Sequence, residues 1–401
     1  MVIIGAGQAG LQTAEALRTE GWEGGILLLG EEPHAPYHRP PLSKAYMLGE
    51  YSEAQLTIRG PEALAKKAIE LRSGTRVAAI DRAAGEVVLA DGGRIAYDGL
   101  ALATGSRARP LPFEGGSLPG VFALRTLDDC RAISAALGKA ERVAVIGGGF
   151  IGLEFAAVAR RKGKDVVVFE AASRLMARVV APLVSDFYAG LHRRNGVELY
   201  LDAHVSGIAG RNGRAFAVRS GTGVDFVADL IIAGIGIIPN AEMAQQAGLP
   251  CEGGIVVDAC GRTADPRIVA AGDCTATRLP DGRLRRLESV QNAVEQGKAA
   301  AAALMGREKP FLAAPWFWSD QYDVKLQMVG QSAGHDEVVV RGSVAEARFT
   351  AFYYREGRLI GMDSANRAQD HMAGRKLLEK GITPTPGQAA DEDFALNSLL
   401  A

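Results

Sequence analysis

The chain has 401 residues, 45 basic against 46 acidic, with 48% apolar and 23% charged positions. A net charge of −1 argues against a dedicated nucleic-acid binder, which carries a basic excess, and the apolar content excludes a disordered chain. Glycine is in excess, at 49 residues or about 12% against roughly 7% in average proteins, while 17 prolines mark no low-complexity sequence. The extra glycine therefore sits at defined backbone positions. The length fits two to three domains. Cys130, Cys251, Cys260 and Cys274 give no disulfide framework and no CxxC pair. His34 and His38 have metal-pair spacing, but Pro33, Pro36, Pro40 and Pro41 forbid the helix that would align them, so no metal is expected.

In chain order, the apolar run Val2–Ile4 meets GAGQAG, then a helical stretch Leu11–Glu20 and a strand Ile26–Leu29. The order recurs: Arg142–Ile146 meets GGGFIG, followed by a helix Leu153–Lys162 and a strand Val166–Phe169. Hairpin-like segments lie between (Arg76–Ile80, Glu86–Ala90, Arg94–Tyr97), then Leu100–Ala103. A matching set follows the second unit: Ala215–Arg219, Val224–Ala228 and one long strand Leu230–Ile238. After Ala313 come Trp316 and Trp318, then alternating strands Val338–Arg341, Arg348–Tyr354 and Leu359–Met362 and a helix Gln369–Glu379. The pattern predicts an α/β chain with two Rossmann-like dinucleotide-binding domains and a C-terminal α+β domain. The expected boundaries are 1–107 with 240–312, then 108–239 inserted between them, then 313–401. Val143–Ala159 is apolar but short for a membrane span and holds Gly147, Gly148, Gly149, Gly152 and Glu154, so no membrane segment is expected. The opening MVIIGAG has no basic n-region, which predicts a cytoplasmic protein. Only three residues follow Met1 before Gly5, leaving an unusually short first strand, as though upstream residues were missing.

One GxGxxG is a weak signal, because glycines cluster in many turns. Here both copies lie between an apolar strand and a helix, and an acidic residue follows each second strand. In such a unit the first glycine permits the tight turn, the second lets backbone amides approach a pyrophosphate, and the third lets the helix pack on the strand. Glu31 (or Glu32) and Glu170 would then accept hydrogen bonds from ribose hydroxyls. Two dinucleotide sites imply a flavin and a nicotinamide. Thr263–Asp273 reads TADPRIVAAGD, and an aspartate at such a strand end can reach a flavin's ribityl chain or phosphate.

The motifs GAGQAG, RPPLSKAY (Arg39–Tyr46), ATG (Ala103, Thr104, Gly105), LRTLDD (Leu124–Asp129), GGGFIGLE, GIGIIPN (Gly234–Asn240), AAGDC, ESVQNA (Glu288–Ala293) and PWFWSDQYD (Pro315–Asp323) resemble those of the oxygenase-coupled FAD-dependent ferredoxin reductases. The resemblance runs through all three domains. It implies a glutathione-reductase-like arrangement and a flavoprotein that takes hydride from NADH and passes single electrons to a [2Fe–2S] ferredoxin. That ferredoxin would feed a cytochrome P450 or a Rieske-type, ring-hydroxylating dioxygenase. It places FAD on Gly5, Gly7, Ala9, Gly10, Glu31, Arg39, Lys44, Val77, Ala103, Thr104, Gly105, Arg125, Asp273, Glu288, Ser289 and Val290, with Trp316 beside the ring. NADH would lie on Gly147, Gly148, Gly149, Phe150, Ile151, Gly152, Glu154, Glu170, Gly234 and Gly236. A monomer or weak dimer is expected.

The same resemblance pairs Lys44 with Glu154 beside the flavin's reactive edge, with Trp316 as the third catalytic candidate. From the residues alone, Glu154 also reads as an acid in a helix's first turn and Lys44 as a surface lysine; Trp318 stays unassigned. Glu170 favours NADH, although Arg174 and Arg178 follow closely. Disulfide reductases of this fold carry a redox CxxxxC near RPPLSKAY, and peroxidases and oxidases one cysteine. This chain has Ser43 and no cysteine before Cys130, so electrons have no thiol to pass through. Lys298, Lys325, Arg283, Arg285 and Arg286 are candidate contacts for an acidic ferredoxin. The competing readings are a rubredoxin reductase, an NADH oxidase, or an NADH-gated interaction module like apoptosis-inducing factor.

Overall fold

The computed structural model describes residues 1–221, 223 and 225–400. They form two compact units: Met1–His38, Glu53–Arg107 and Ile237–Ala313 in one, Arg39–Ser52, Ala108–Gly236 and Ala314–Ala401 in the other. Three domains were expected, but the second unit holds both the expected inserted domain and the expected C-terminal domain, and one internal stretch of the expected first domain is also assigned to it. Arg39–Ser52 lies in the second unit, where Cys130 Sγ donates to Leu42 O at 3.2 Å. Arg39 and Lys44, expected at the first site, therefore belong to the unit that carries the second glycine loop.

The first unit is built on a five-stranded parallel sheet in the order Ile268–Ala270, Leu100–Leu102, Val2–Ile4, Ile26–Leu29, Ile69–Arg72. Ile3 is paired with Leu28 on one side and Ala101 on the other. Every residue of the central strand is buried, as a parallel strand covered on both faces requires. The helices Gln8–Thr19 and Val290–Leu304 pack together over it. Their closeness rests on small residues: a Cβ on Gly297 would stand 2.9 Å from Ala9 O.

The second unit repeats this plan in the parallel order Val197–Tyr200, Asp165–Phe169, Arg142–Ile146, Leu230–Ala233, Val121–Phe122. The long strand expected over Leu230–Ile238 is two strands, Leu230–Ala233 and Ile237–Pro239. The ladder with Arg142–Ile146 ends at Ala233, and Gly236, at φ +109° in a backbone region that favours glycine, turns the chain into the second strand. The expected strand Val224–Ala228 begins on a residue outside those described and is observed over Asp225–Val227. Thr126 caps the helix Leu127–Lys139 through a reciprocal bond with Asp129, which fixes the LRTLDD turn.

The same unit ends in an antiparallel sheet ordered Trp316–Gln321, Val324–Gly330, Arg358–Ala365, Arg348–Arg355, Glu337–Ser343. The helix Ala368–Lys380 packs on it. Asp363 is buried in this sheet and accepts a 2.7 Å hydrogen bond from the Tyr353 hydroxyl. Burial pushes its carboxyl up to about 7 from the ordinary 3.8. Between these pH values the folded state holds a proton that the unfolded chain has lost, so stability falls as pH rises and levels off above about 7. Asp363→Asn removes this dependence. Relative to wild type the variant is expected to gain at most about 1.4 kcal/mol per pH unit from about pH 4 to 7, read from urea unfolding at a series of pH values. His192 and His371, both lowered to about 4 by burial, act in the opposite sense but are common to both proteins and cancel in the difference.

Candidate active site

Each unit presents a strand, a glycine turn and a helix N-terminus. In the first, a Cβ on Gly10 would lie 1.8 Å from Gly5 O, so only glycine lets Gln8–Thr19 rest on the turn. Gly7 is the extended N-cap; a Cβ there would meet nothing within 4 Å. No side chain caps this helix, so its first amides remain for a ligand. The second unit matches it position for position. A Cβ on Gly152 would lie 2.3 Å from Gly147 O, and the N-cap Gly149 has open space but for Gly234 O at 4.0 Å. Phe150 and Ile151 open its helix. An open concavity of free amides at a helix's positive end fits a pyrophosphate.

Of the expected residues of its unit, Ala103 and Thr104 stand against Gly5 of the first loop. Ala103, Thr104 and Gly105 follow the adjacent strand, and Thr104 and Asn240 exchange hydrogen bonds of 2.6 and 2.9 Å. Asp273 accepts from Ser106 Oγ at 3.0 Å. Gly272, just before it, packs tightly enough that a Cβ would come 2.9 Å from Ala9 Cβ. Val77 starts a strand and is buried. Ser289 caps the helix that Val290 begins, and the preceding Glu288 pairs with Arg286 at 2.6 Å. Glu31 is exposed, with Arg76 at 3.7 Å, whereas the neighbouring Glu32 accepts from the Tyr37 hydroxyl at 2.5 Å.

In the second unit Glu170 is tied down at both carboxylate oxygens, by the amides of Gly148 at 2.6 Å and Ala172 at 2.7 Å. Its charge is thus held beside the loop. Arg174 is turned away: its guanidinium bonds Val180 O, Ala177 O and Ser185 Oγ at 2.7–2.9 Å. Gly234 and Gly236 bound the turn that faces this loop.

Lys44 and Glu154 do meet. Glu154 is 2% exposed, and its Oε2 takes the Lys44 ammonium at 2.8 Å and the Ser43 hydroxyl at 2.5 Å. Its Oε1 takes the Ser319 hydroxyl at 2.7 Å. Ser43 and Ser319 were not legible as partners, standing 111 and 165 residues away in sequence. The Arg39 guanidinium donates to Arg125 O at 2.8 Å. Trp316 lies under the Arg375 guanidinium at 4.8 Å and beside Trp318 at 5.6 Å between ring centroids. Phe317 packs on Phe150 at 5.0 Å.

All four cysteines are free thiols; Cys130, Cys260 and Cys274 are buried. Burial raises Cys130 to about 11 and pushes the other thiols up as well. Three of the basic docking candidates carry acidic partners, Lys298 with Glu295, Arg283 with Asp281 and Arg286 with Glu288. Among the described residues no cluster suited to a metal ion occurs and no helix is long and apolar enough to cross a membrane.

Two glycine cradles with an acid held beside one of them define an oxidoreductase for paired dinucleotides. The model of the pyridine nucleotide-disulphide oxidoreductases matches residues 1–297 and a reductase C-terminal model matches residues 316–400, and the chain belongs to the pyridine nucleotide-disulphide oxidoreductase family. FAD and NAD(H) are its cofactors. Within the family it stands among the FAD-dependent ferredoxin reductases of oxygenase systems. Rhodocoxin reductase of Rhodococcus erythropolis is 46% identical over 402 residues, covering 100% of this chain and 94% of that protein. The ferredoxin reductase of the CYP199A2 system from Rhodopseudomonas palustris superposes with a TM-score of 0.97 at 46% identity, covering 100% and 99% of the two chains. The reductase in a covalent putidaredoxin reductase–putidaredoxin complex gives 0.95 at 42% identity, covering 100% and 97%.

Proposed function

We propose that this chain takes hydride from NADH onto bound FAD and passes electrons singly to a [2Fe–2S] ferredoxin that serves a cytochrome P450 or a ring-hydroxylating dioxygenase. The observation that carries the exit route is the sulfur chemistry: a serine hydroxyl, Ser43, sits on Glu154, and the cysteines are unpaired thiols whose burial suppresses the thiolate. The flavin supplies the conversion between two-electron and one-electron transfer. Relatives named for P450 and dioxygenase systems support the partner. Four free thiols suit the reducing cytoplasm.

In this reading, the segments 1–107 and 240–312 bind FAD through Gly5, Gly7, Ala9, Gly10, Asp273 and the Glu288–Val290 turn. Arg39, Lys44, Arg125 and Trp316 complete the flavin's set, and the Gly147–Gly152 loop with Glu170 binds NADH. The Glu170 carboxylate accepts from the 2′-hydroxyl and repels a 2′-phosphate, while Arg174, spent on its own backbone, offers that phosphate no partner. The test is steady-state reduction of [2Fe–2S] ferredoxins from oxygenase systems by the holoenzyme. NADH is expected to support it with a kcat/KM about tenfold or more above NADPH, the effect of about 1.4 kcal/mol of repulsion. NADH consumed to peroxide with no ferredoxin reduced would overturn the reading.

A further inference from the structure

The Glu154 carboxylate is the end of a longer chain of buried polar groups. Ser319, Gln321 and His192 are all 0% exposed. Gln321 Nε2 donates to Ser319 Oγ at 3.1 Å, and its Oε1 lies 2.8 Å from His192 Nε2. The directions of these bonds follow from the carboxylate. Bound by an ammonium and two hydroxyls, Glu154 acts as acceptor, so Ser319 spends its proton on Oε1. Ser319 must then accept from Gln321, whose amide nitrogen faces it; the amide oxygen is left for His192, which must carry its proton on Nε2. Neutral imidazole is what burial enforces, with the ring lowered to about 4. Every link therefore donates toward Glu154, and bonds aligned in one sense polarise one another.

The strand and the helix that meet here are in register. Phe150 and Glu154 are four residues apart on one helix face, a rise of about 6.0 Å; Phe317 and Ser319 are two apart on one strand face, a rise of about 6.6 Å. Phe317 packs on Phe150 and Ser319 bonds Glu154, so two rungs fix both offset and rotation. Three buried polar side chains cost desolvation that apolar residues would not, and what they converge on is the carboxylate that holds Lys44, itself 15% exposed.

We propose that Ser319, backed by Gln321 and His192, is a positioning residue that locks the Glu154 carboxylate so that Oε2 presents the Lys44 ammonium for hydride transfer to the flavin. With Oε1 pinned by Ser319, the carboxylate cannot rotate, and Lys44 and Ser43 meet a fixed oxygen. The inference rests on the Lys44–Glu154 reading of the site and goes beyond it.

The test measures two quantities in the holoenzyme: the stopped-flow rate of flavin reduction by NADH, and the flavin midpoint potential by spectroelectrochemistry. Ser319→Ala is expected to slow reduction about tenfold, as loss of one hydrogen bond to a charged group does, and to shift the potential in the same direction as Lys44→Ala but less far. Ser319→Thr, which keeps the hydroxyl, is expected to restore both. In a Glu154→Gln background, Ser319→Ala is expected to add nothing. If Glu154→Gln slows reduction while Ser319→Ala leaves rate and potential at wild-type values, the inference falls and the Lys44–Glu154 reading stands. Should Ser319→Ala be equally harmful in the Glu154→Gln background, Ser319 acts by another route and the inference also falls. Wild-type rates in both Glu154→Gln and Lys44→Ala would remove the underlying reading and the inference with it. Gln321→Leu, near in volume, tests the same chain one link further out if Ser319→Ala fails to retain flavin: a slowed reduction supports the chain, an unchanged one overturns it.

Discussion

Lys44→Ala is expected to slow anaerobic reduction of the flavin by NADH by about two orders of magnitude, the scale set by removing one preorganised electrostatic contact from a reacting site. Hydride brings two electrons and one proton, so the ring gains negative charge. An ammonium mostly screened from water stabilises such charge far more than one in solution. Lysine's stem is long and flexible, and left alone it would turn its head to water. Glu154 Oε2 at 2.8 Å and Pro40 O at 3.4 Å prevent that. Glu154→Gln keeps the shape and, through its one acceptor oxygen, can keep the Ser319 hydrogen bond, but it loses the charge that holds the ammonium, and its expected effect is smaller, about tenfold. The effect should appear in the reduction rate with little change in NADH affinity, the pattern of an interaction made as charge develops. An unchanged stopped-flow rate would refute it.

The second large effect concerns the C-terminal segment. Arg341, 5% exposed, donates to the carbonyls of Gln388, Asp391, Glu392 and Phe394 and lies 3.6 Å from Asp370. One guanidinium thus holds the chain where the short helix Pro386–Ala390 ends. Asp370 and Glu392 are in turn paired with Arg367. Arg341→Ala strands these carbonyls and leaves Asp370 buried with one cation fewer, at a cost of about 3–5 kcal/mol. Arg341→Lys recovers little, because an ammonium cannot reproduce a planar fork with five donors. A lowered melting temperature, with early proteolytic cleavage between residues 381 and 400, would report the loss; a wild-type melting curve would contradict it.

The glycine loops were legible because their signal is local. A buried strand, a turn that only glycine can make and a helix follow one another within twenty residues, so both cradles appear in the sequence. The helices start earlier than periodicity suggests, at Gln8 and Phe150 instead of Leu11 and Leu153, because their first turns, QAG and FIG, belong to the glycine motifs and read as loop. Leu230–Ile238 read as one strand because its apolar run continues through Gly234 and Gly236; the end of the ladder at Ala233 and the turn at Gly236 divide it. The pairing of Lys44 with Glu154 was available through resemblance and not through spacing. What no local pattern could carry is the rest of that cluster. Ser43, Ser319, Gln321 and His192 are ordinary polar residues in sequence, and they acquire meaning only when a strand, two helices and a turn are brought together.

The buried thiols have a consequence for the working life of the enzyme. A reduced flavoprotein in air leaks electrons to oxygen, and the peroxide that forms attacks thiolates first. Here the sulfur that many relatives of this fold place in the electron path is absent, and Cys130, Cys260 and Cys274 are sealed in the interior as protonated thiols. Three of its four thiols are thus poor targets for the by-product of idle turnover.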